Sequence, residues 1–311
     1  MEIIFIIGLV LLGMVMGSFA GAQIWRLRAR QLHDDYQREN SLAKKKKLTK
    51  YEKEELSELK IDNKEFATER KKLGSLLKQK VRNDRSRCLS CGHELKWYDL
   101  LPVISWLSLG GKCRYCKSPI GWMEITLEIV MAGLFAGTFV WWSSFDVIGI
   151  ISLVIWLISL VLLAILFVYD FRWSLLPDKI NWSFIALGLV FAILKLTQAA
   201  SLTSAVWSLL GSVFVLSGIY LFLHLISRGK WVGFGDVKLG LGLGLFLGDW
   251  LLALLALFLA NLIGTLLVLP GMLRGTLKGD ARIPFGPLLI IGFLISWFVG
   301  EKIISWYILS I

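Results

Sequence analysis

The chain has 311 residues, of which 56% are hydrophobic, with a mean hydropathy of +0.67 and a formal net charge of +11. This composition excludes an ordinary soluble domain. Several apolar runs reach the length of about 20 residues that crosses a hydrocarbon core of roughly 30 Å. We therefore predict an all-α polytopic membrane protein.

Hydropathy predicts about eight transmembrane helices. The first, Ile3–Ile24, lacks the basic start and the small-residue cleavage site of a signal peptide, so we expect a retained anchor with its N-terminus outside. Residues 237–248 contain four glycines and are too short to cross upright. They predict a short buried helix, a re-entrant segment or the first half of a hairpin. The predicted spans are roughly residues 3–25, 122–142, 147–169, 181–198, 204–226, 237–248, 251–271 and 284–308.

A long charged insertion follows the first span. Residues 26–87 hold 20 Lys and Arg against 11 Asp and Glu, which accounts for most of the net charge. Residues 33–80 are rich in Glu, Lys and Leu and lack proline, so we predict exposed helix. The insertion is either a solvated or partly disordered cytoplasmic segment, a contact to anionic lipid through Lys44–Lys47, or a docking site for a partner.

All four cysteines of the chain fall in the next segment. Cys88 and Cys91 form one CxxC pair, and Cys113 and Cys116 form a second after 21 residues. Two such knuckles supply the four thiolates of a tetrahedral zinc site. Redox dithiols and a chance arrangement are the alternatives. A site closed by four cysteines would brace the loop and would not catalyse.

Two aspartates lie at the edges of apolar spans. Asp170 closes the run 161–169, and Asp236 opens the run that begins at Val237. A carboxylate at that depth is costly to insert, which makes each a functional candidate. Two carboxylates brought together share a proton, so one acts as base and the other as acid toward water. This is the chemistry of an aspartic protease.

Basic residues beside the spans predict the orientation. The loops 142–146, 197–203 and 249–250 carry no Lys or Arg, so we place them outside, together with both termini. Asp170 and Asp236 then lie at the cytoplasmic ends of their spans, which favours a shared site. The basic residues that mark the cytoplasmic loops are Arg26, Arg28, Arg30, Arg228, Lys230, Arg274, Lys278 and Arg282.

Five motifs in this order resemble the prepilin peptidases, the membrane leader peptidases of type IV pilus and type II secretion systems and members of the GxGD aspartic membrane proteases. The likeness runs nearly end to end. The motifs are Gly17-Ser-Phe19 followed by Arg26-Leu27, the two CxxC pairs with Pro102 and Ser105-Trp106 between them, Tyr169 to Asp178, Gly233-Phe-Gly-Asp-Val-Lys-Leu239, and Ile283-Pro-Phe-Gly-Pro287.

The resemblance implies cleavage, at the cytoplasmic membrane face, of a short basic leader that precedes the apolar helix of type IV prepilin or pseudopilin precursors. By motif position Asp170 and Asp236 are catalytic. Asp178 is a supporting residue or the cap of the following helix. Lys238 either balances charge or snorkels to the surface.

The resemblance also implies, in many members, methylation of the new N-terminus with S-adenosylmethionine. Glu128 matches the family's glutamate in the second span and is the candidate cofactor-binding residue. It needs a partner, which is a cationic sulfonium, an incoming amine or Arg26. Gly21 stands where the family usually has Asn, and Glu124-Ile125 stands where it commonly has Tyr-Pro. These departures leave methylation open and leave the peptidase assignment intact.

We therefore expect a multi-pass protein of the bacterial cytoplasmic membrane that contacts prepilin-like precursors and lipid, and no nucleic acid. A noncatalytic scaffold of a pilus or secretion assembly, or a transporter, is the alternative. The expected domains are the first helix (1–25), the charged insertion (26–86), a cytoplasmic zinc-binding loop (87–121) that forms a methyltransferase part with the first two spans, and a peptidase bundle (122–311).

Overall fold

The structure, a computed structural model, describes residues 2–45, 47–77, 85–275 and 284–309. Within these ranges the chain is helical and forms no strand, as predicted. Four residues used in the predictions above, Lys46, Lys278, Arg282 and Ile283, lie outside the described residues. The chain divides into two compact units, residues 10–132 and residues 1–9 with 133–311.

Twelve α-helices are seen in the described ranges. Short 3-10 turns at Gly74–Leu76 and Trp97–Leu100 and a π-helical turn at Phe214–Gly218 accompany them. The helices are α1 Glu2–Ala43, α2 Lys50–Glu65, α3 Ala67–Leu73, α4 Ile104–Ser108, α5 Trp122–Trp141, α6 Val147–Trp173, α7 Asp178–Thr197, α8 Leu202–Val213, α9 Ile219–Ser227, α10 Phe234–Leu247, α11 Trp250–Leu273 and α12 Gly286–Leu309.

Seven helical stretches of the described residues are long and apolar enough to cross a membrane, one fewer than the eight predicted. They are α1, α5, α6, α7, the continuous stretch from α8 through α9, α11 and α12. The difference is α10, whose 14 residues rise only about 21 Å. Most of its residues are buried. Of the three alternatives for this segment, the structure shows the short buried helix.

Polar residues set the ends of the helices around the bundle. The Asp146 side chain accepts from the Gly149 amide (3.1 Å) and caps α6, and Asp249 accepts from the Leu251 and Leu252 amides at the start of α11. At the other end of α6, Ser174 takes a left-handed conformation (φ 50°) that stops the helix. Asp170 is therefore held in the last turn of α6.

The charged insertion folds into helices in the part that the structure describes. Helix α1 continues beyond its predicted span to Ala43, and α2 starts with a capping box between Thr49 and Glu52. Buried Ala29 and Leu32 of α1 pack with Leu73 of α3. The predicted helix is thus observed in the described part of the insertion.

Ion pairs join the same elements. Arg28 of α1 is buried, contacts Glu69 of α3 at 3.2 Å, and lies over the ring of Phe66. The Arg38 guanidinium makes two hydrogen bonds to Glu55 (2.8 and 3.0 Å). These contacts explain why so charged a segment is ordered, because its few apolar residues are supplemented by paired charges.

The unit that contains residues 133–311 is built around α10. Helix α10 packs against α7, α8, the π-helical turn and α12, and α11 packs along α12. At Gly240 the backbone of the neighbouring π-helical turn comes so close that a Cβ would clash with the carbonyl oxygen of Leu216. Aromatic rings of Trp156, Phe246, Phe293 and Trp297 fill the centre of this bundle. The glycines of α10 therefore serve close packing, as expected inside a membrane bundle.

Candidate active site

Asp170 lies at the buried end of α6. Asp170 is 5% exposed, and its Oδ2 accepts a hydrogen bond from the backbone amide of Gly286 (3.0 Å) in the first turn of α12. A side chain at Gly286 would meet this oxygen, because an added Cβ would stand 2.6 Å from it. The sequence therefore needs glycine at that position to let a backbone amide reach the carboxylate.

Asp236 lies in the first turn of α10, where a helix N-terminus favours a negative charge. It is half-buried, and its amide donates to the Gly233 carbonyl (3.2 Å), so the residues of the GxGD motif form one tight turn. The carboxyl of Asp170 lies close enough to Asp236 for their negative charges to repel. Two carboxyls that share a site favour a state in which only one is ionised.

Three contacts fasten the GxGD turn to the start of α7. Gly235 packs directly on the Leu176 side chain, and its carbonyl accepts from Asn181 Nδ2 (3.1 Å). The third contact is an ion pair between Lys238 Nζ and Asp178 Oδ1 (2.6 Å). The loop after α6 and the first turn of α7 therefore position the turn that carries Asp236.

This geometry decides between alternatives left open for two residues. Asp178 is the first residue of α7, which begins after Pro177 without a side-chain cap, so the capping role expected for Asp178 is wrong. Its carboxylate is turned instead to Lys238, whose side chain is 11% exposed and also lies near the rings of Phe234 and Trp182. The Lys238 ammonium group is therefore paired with the Asp178 carboxylate.

Sequence reasoning missed two polar residues of this site. Asn181 is fully buried, and a polar amide one turn inside an apolar span was a signal that could have found it. Tyr220 of α9 is 6% exposed and lies within electrostatic range of Asp236. Nothing in its apolar surroundings marks it in the sequence, because only tertiary packing brings α9 to the start of α10.

The four cysteines come together, as their spacing predicts. Their sulfur atoms all lie within 4.8 Å of one another, and the Cys88 and Cys116 sulfurs are 3.8 Å apart. That separation matches the edge of a tetrahedron with zinc–sulfur bonds of about 2.3 Å, roughly 3.8 Å, and is too long for a disulfide. Each knuckle turns through a left-handed residue, Gly92 (φ 71°) and Lys117 (φ 59°). The cluster is therefore built to bind a metal ion.

Asp99 braces the second knuckle. Its side chain is 4% exposed and accepts from Arg114 Nε (2.7 Å) and from the Tyr115 hydroxyl (3.0 Å). Burial acts to raise the pKa of the Asp99 carboxyl, but hydrogen bonds from Arg114, the Lys96 amide and Tyr115 hold that pKa below its ordinary value. The four-cysteine cluster is thus tied to the helical turn Trp97–Leu100 by charged hydrogen bonds.

Glu128 is buried in α5, where Gly17 of α1 packs against its backbone. Its Oε2 accepts from the Val103 amide (2.7 Å), and the Ser18 hydroxyl is a second hydrogen-bond partner. Val103 has a positive φ (58°), which is strained for a β-branched residue and aims its amide at Glu128. The predicted pairing of Glu128 with Arg26 stays a prediction.

Fold and site together define a multi-pass α-helical membrane protein with an aspartate pair, of which Asp170 is buried and Asp236 half-buried, and with a four-cysteine cluster. Comparison with known families agrees. Residues 11–142 match the bacterial peptidase A24 N-terminal domain, and residues 157–269 match the type IV leader peptidase family. The chain belongs to the type IV leader peptidase family.

Curated proteins named prepilin leader peptidase/N-methyltransferase are similar to this chain over most of its length. One from Stutzerimonas stutzeri is 30% identical over 224 residues, which cover 72% of this chain and 74% of that protein. One from Aeromonas hydrophila is 31% identical with the same coverage. One from Bacillus subtilis (strain 168) is 32% identical over 72% of this chain and 85% of that protein. No solved structure matched the chain significantly.

Proposed function

We propose that this leader peptidase cleaves the basic leader from type IV prepilin-like precursors and that Asp170 and Asp236 form its catalytic pair. The observation that carries the proposal is the approach of the two carboxyls, each fixed by backbone at a different motif. The scaffold and transporter alternatives are not favoured, because family membership and this arrangement point to peptide hydrolysis.

In its resting state the pair holds one proton. The ionised carboxyl takes a proton from water, whose oxygen adds to the carbon of the scissile peptide. The protonated carboxyl polarises the carbonyl and then supplies the proton that the leaving amine needs. The Gly286 amide steadies Asp170 in both states of the cycle.

Charge supports a cytoplasmic site. Arg172 follows Asp170, and Arg228 and Lys230 precede Asp236, so basic residues flank both carboxyls. Exposed Trp182 near the start of α7 and exposed Trp231 just before α10 fit the water interface of a membrane. A precursor with a basic leader and an apolar helix would reach this position laterally from the bilayer, with its scissile bond where the helix enters water.

The four-cysteine cluster would hold a structural zinc ion. Four thiolates fill a tetrahedral zinc ion and leave no position for water or substrate. The zinc ion would stabilise the fold of residues 87–119. Within this segment the ion pair between Asp99 and Arg114 links the second knuckle to the turn Trp97–Leu100.

Methylation of the new N-terminus is a second candidate activity. The observation that favours it is the environment of the Glu124 carboxylate. One of its carboxylate oxygens accepts from Trp25 Nε1 (3.1 Å), while Oε2 is buried and has no hydrogen-bond partner among the described residues. Glu124 lies one turn from Glu128 on the same face of α5. Two carboxylates there suit a sulfonium cofactor such as S-adenosylmethionine, or an incoming ammonium group.

The test of the peptidase proposal uses purified wild type, Asp170→Asn, Asp236→Asn and the double variant, each with a precursor peptide that carries a basic leader. Asparagine keeps the shape of aspartate but cannot exchange the proton, so each single variant should lose cleavage. The double variant should be no worse than either single one, because the pair acts as a unit. Near-normal cleavage by either single variant, in properly inserted protein, would remove that residue from the pair.

A further inference from the structure

The Tyr220 hydroxyl is a polar group of the bundle to which the pair mechanism gives no role. The residue is 6% exposed, and its oxygen is buried without a hydrogen-bond partner among the described residues. Burying an unpaired hydroxyl destabilises a folded protein, so such a group needs a reason. A catalytic role is one reason for which such a group is retained.

The packing of the π-helical turn Phe214–Gly218 sets where this hydroxyl points. The turn lies tightly on α10 at Gly240, and Ser217 Oγ donates to the carbonyl of Val237 (2.9 Å). Tyr220 follows Ser217 by three residues and so lies on the same helix face. Val237 directly follows Asp236, and Tyr220 accordingly lies within electrostatic range of the Asp236 carboxyl. A π-helical turn inside an α-helix is itself frequent at functional sites.

The ring of Tyr220 also contacts the other half of the site. It packs against Phe285, with ring centroids 5.4 Å apart, and the next residue is Gly286, whose amide holds Asp170. The tyrosine therefore lies between the residue that precedes Gly286 and the Asp236 carboxyl, which is within electrostatic range. Its hydroxyl nevertheless makes no hydrogen bond to either carboxyl.

We propose that Tyr220 is a third catalytic residue, whose hydroxyl donates a hydrogen bond to the carbonyl oxygen of the scissile peptide. The inference rests on the peptidase function proposed above. The acceptor that this donor lacks arrives with the substrate. When water adds to the carbonyl carbon, the electron pair of the C=O double bond moves to the oxygen, and a fixed donor stabilises the charge that develops there. Tyr220 keeps its proton throughout, because the carboxyl pair carries the proton transfers.

The experiment compares Tyr220→Phe with wild type on the same precursor peptide. The variant keeps the ring and its contact with Phe285 and removes only the hydroxyl. We expect kcat to fall about 100-fold, in line with loss of one oxyanion donor, with KM within about twofold of wild type. The pH profile should keep its shape, and the temperature of thermal unfolding should stay equal or rise, since an unpaired buried group has been removed.

Ser296→Ala is the matched control. Ser296 of α12 is fully buried, and its hydroxyl also has no hydrogen-bond partner among the described residues. It lies about 15 Å further along α12 than Gly286, so its loss should leave kcat unchanged. Each variant removes one buried, unpaired hydroxyl, but only Tyr220→Phe, whose hydroxyl lies near the carboxyl pair, should lower kcat.

Two results would overturn the role of Tyr220. One is a kcat for Tyr220→Phe within threefold of wild type. The other is a loss of rate that disappears at higher pH, because the hydroxyl would then act on a carboxyl and not on the substrate. Either result, obtained while Asp170→Asn and Asp236→Asn are inactive, refutes this inference alone. Activity in the aspartate variants would refute the peptidase assignment of the pair instead.

Discussion

Replacing Gly286 by alanine tests how tightly the backbone of α12 fixes the Asp170 carboxylate. The Gly286 amide donates to Asp170 Oδ2 at 3.0 Å, and the added Cβ would stand 2.6 Å from the same oxygen and 3.3 Å from the carboxyl carbon. The carboxylate cannot keep its hydrogen bond and avoid the methyl group. It must move away from α12, and its position relative to Asp236 changes with it.

The size of the effect follows from that distance. An ordinary contact at a Cβ begins at 3.4 Å, so Asp170 Oδ2 must retreat by roughly 0.8 Å. A misplacement of about 1 Å in a catalytic group costs on the order of 100-fold in rate. We therefore expect kcat/KM of Gly286→Ala to fall about 100-fold. Overpacking should also lower the free energy of unfolding by about 1–3 kcal/mol.

The assay measures kcat/KM on a precursor peptide together with thermal unfolding in the same detergent. Gly264→Ala is the control, because its added Cβ meets only the end of the Leu288 side chain (2.9 Å) and never reaches a carboxylate. That variant should cleave within about threefold of wild type, since a flexible side chain can shift. Wild-type cleavage by Gly286→Ala would show that the Gly286 amide does not position Asp170 and would refute this reasoning.

Three further predictions concern the other parts of the chain. Purified protein should contain one zinc ion per chain. Cys113→Ser should lower the zinc content and increase proteolysis within residues 87–119, while cleavage of precursor persists. Metal-free protein with four titratable thiols would contradict this prediction. Asn181→Ala should destabilise the protein by about 0.5–1.5 kcal/mol and slow cleavage, because the part-buried Gly235 carbonyl loses its donor. Unchanged unfolding and turnover would count against that role. Glu128→Gln should leave cleavage intact and reduce methylation of the mature product, as judged by its mass; an unmethylated product from wild type supplied with S-adenosylmethionine would mean that the chain is a peptidase only.

Local chemistry made the metal cluster predictable from sequence. Each CxxC knuckle is closed within a few residues, by the Cys88 amide bonding to the His93 carbonyl and the Cys113 amide bonding to the Ser118 carbonyl. Such short-range geometry follows from residue spacing. The helical class and the spans followed in the same way from hydropathy.

Long-range packing could not be predicted. The length of residues 237–248 marked this segment as too short to cross upright, but only the structure distinguishes a short buried helix from the other two alternatives. The insertion showed few apolar residues, yet Leu32 and Leu73 meet across 41 positions of sequence and Arg28 is buried beside Glu69. Charged side chains that become paired on folding look solvent-exposed in a sequence.

The aspartate pair was inferred from depth and motif, but its supports were not. The supports, which are the Gly286 amide and the Asn181 side chain, and the nearby Tyr220 hydroxyl come from three helices distant in sequence from one another. Their approach depends on which faces of α7, α9 and α12 meet α10. No periodicity in an evenly apolar span specifies that face.

The most direct test of the central claim is the N-terminal sequence and intact mass of a prepilin-like precursor co-expressed with this chain. With wild type, the product should begin just before its apolar helix and lack the basic leader. With Asp170→Asn or Asp236→Asn at equal membrane levels, the leader should remain. A leader left intact by wild type, or removed at the same bond by both variants, would contradict the account.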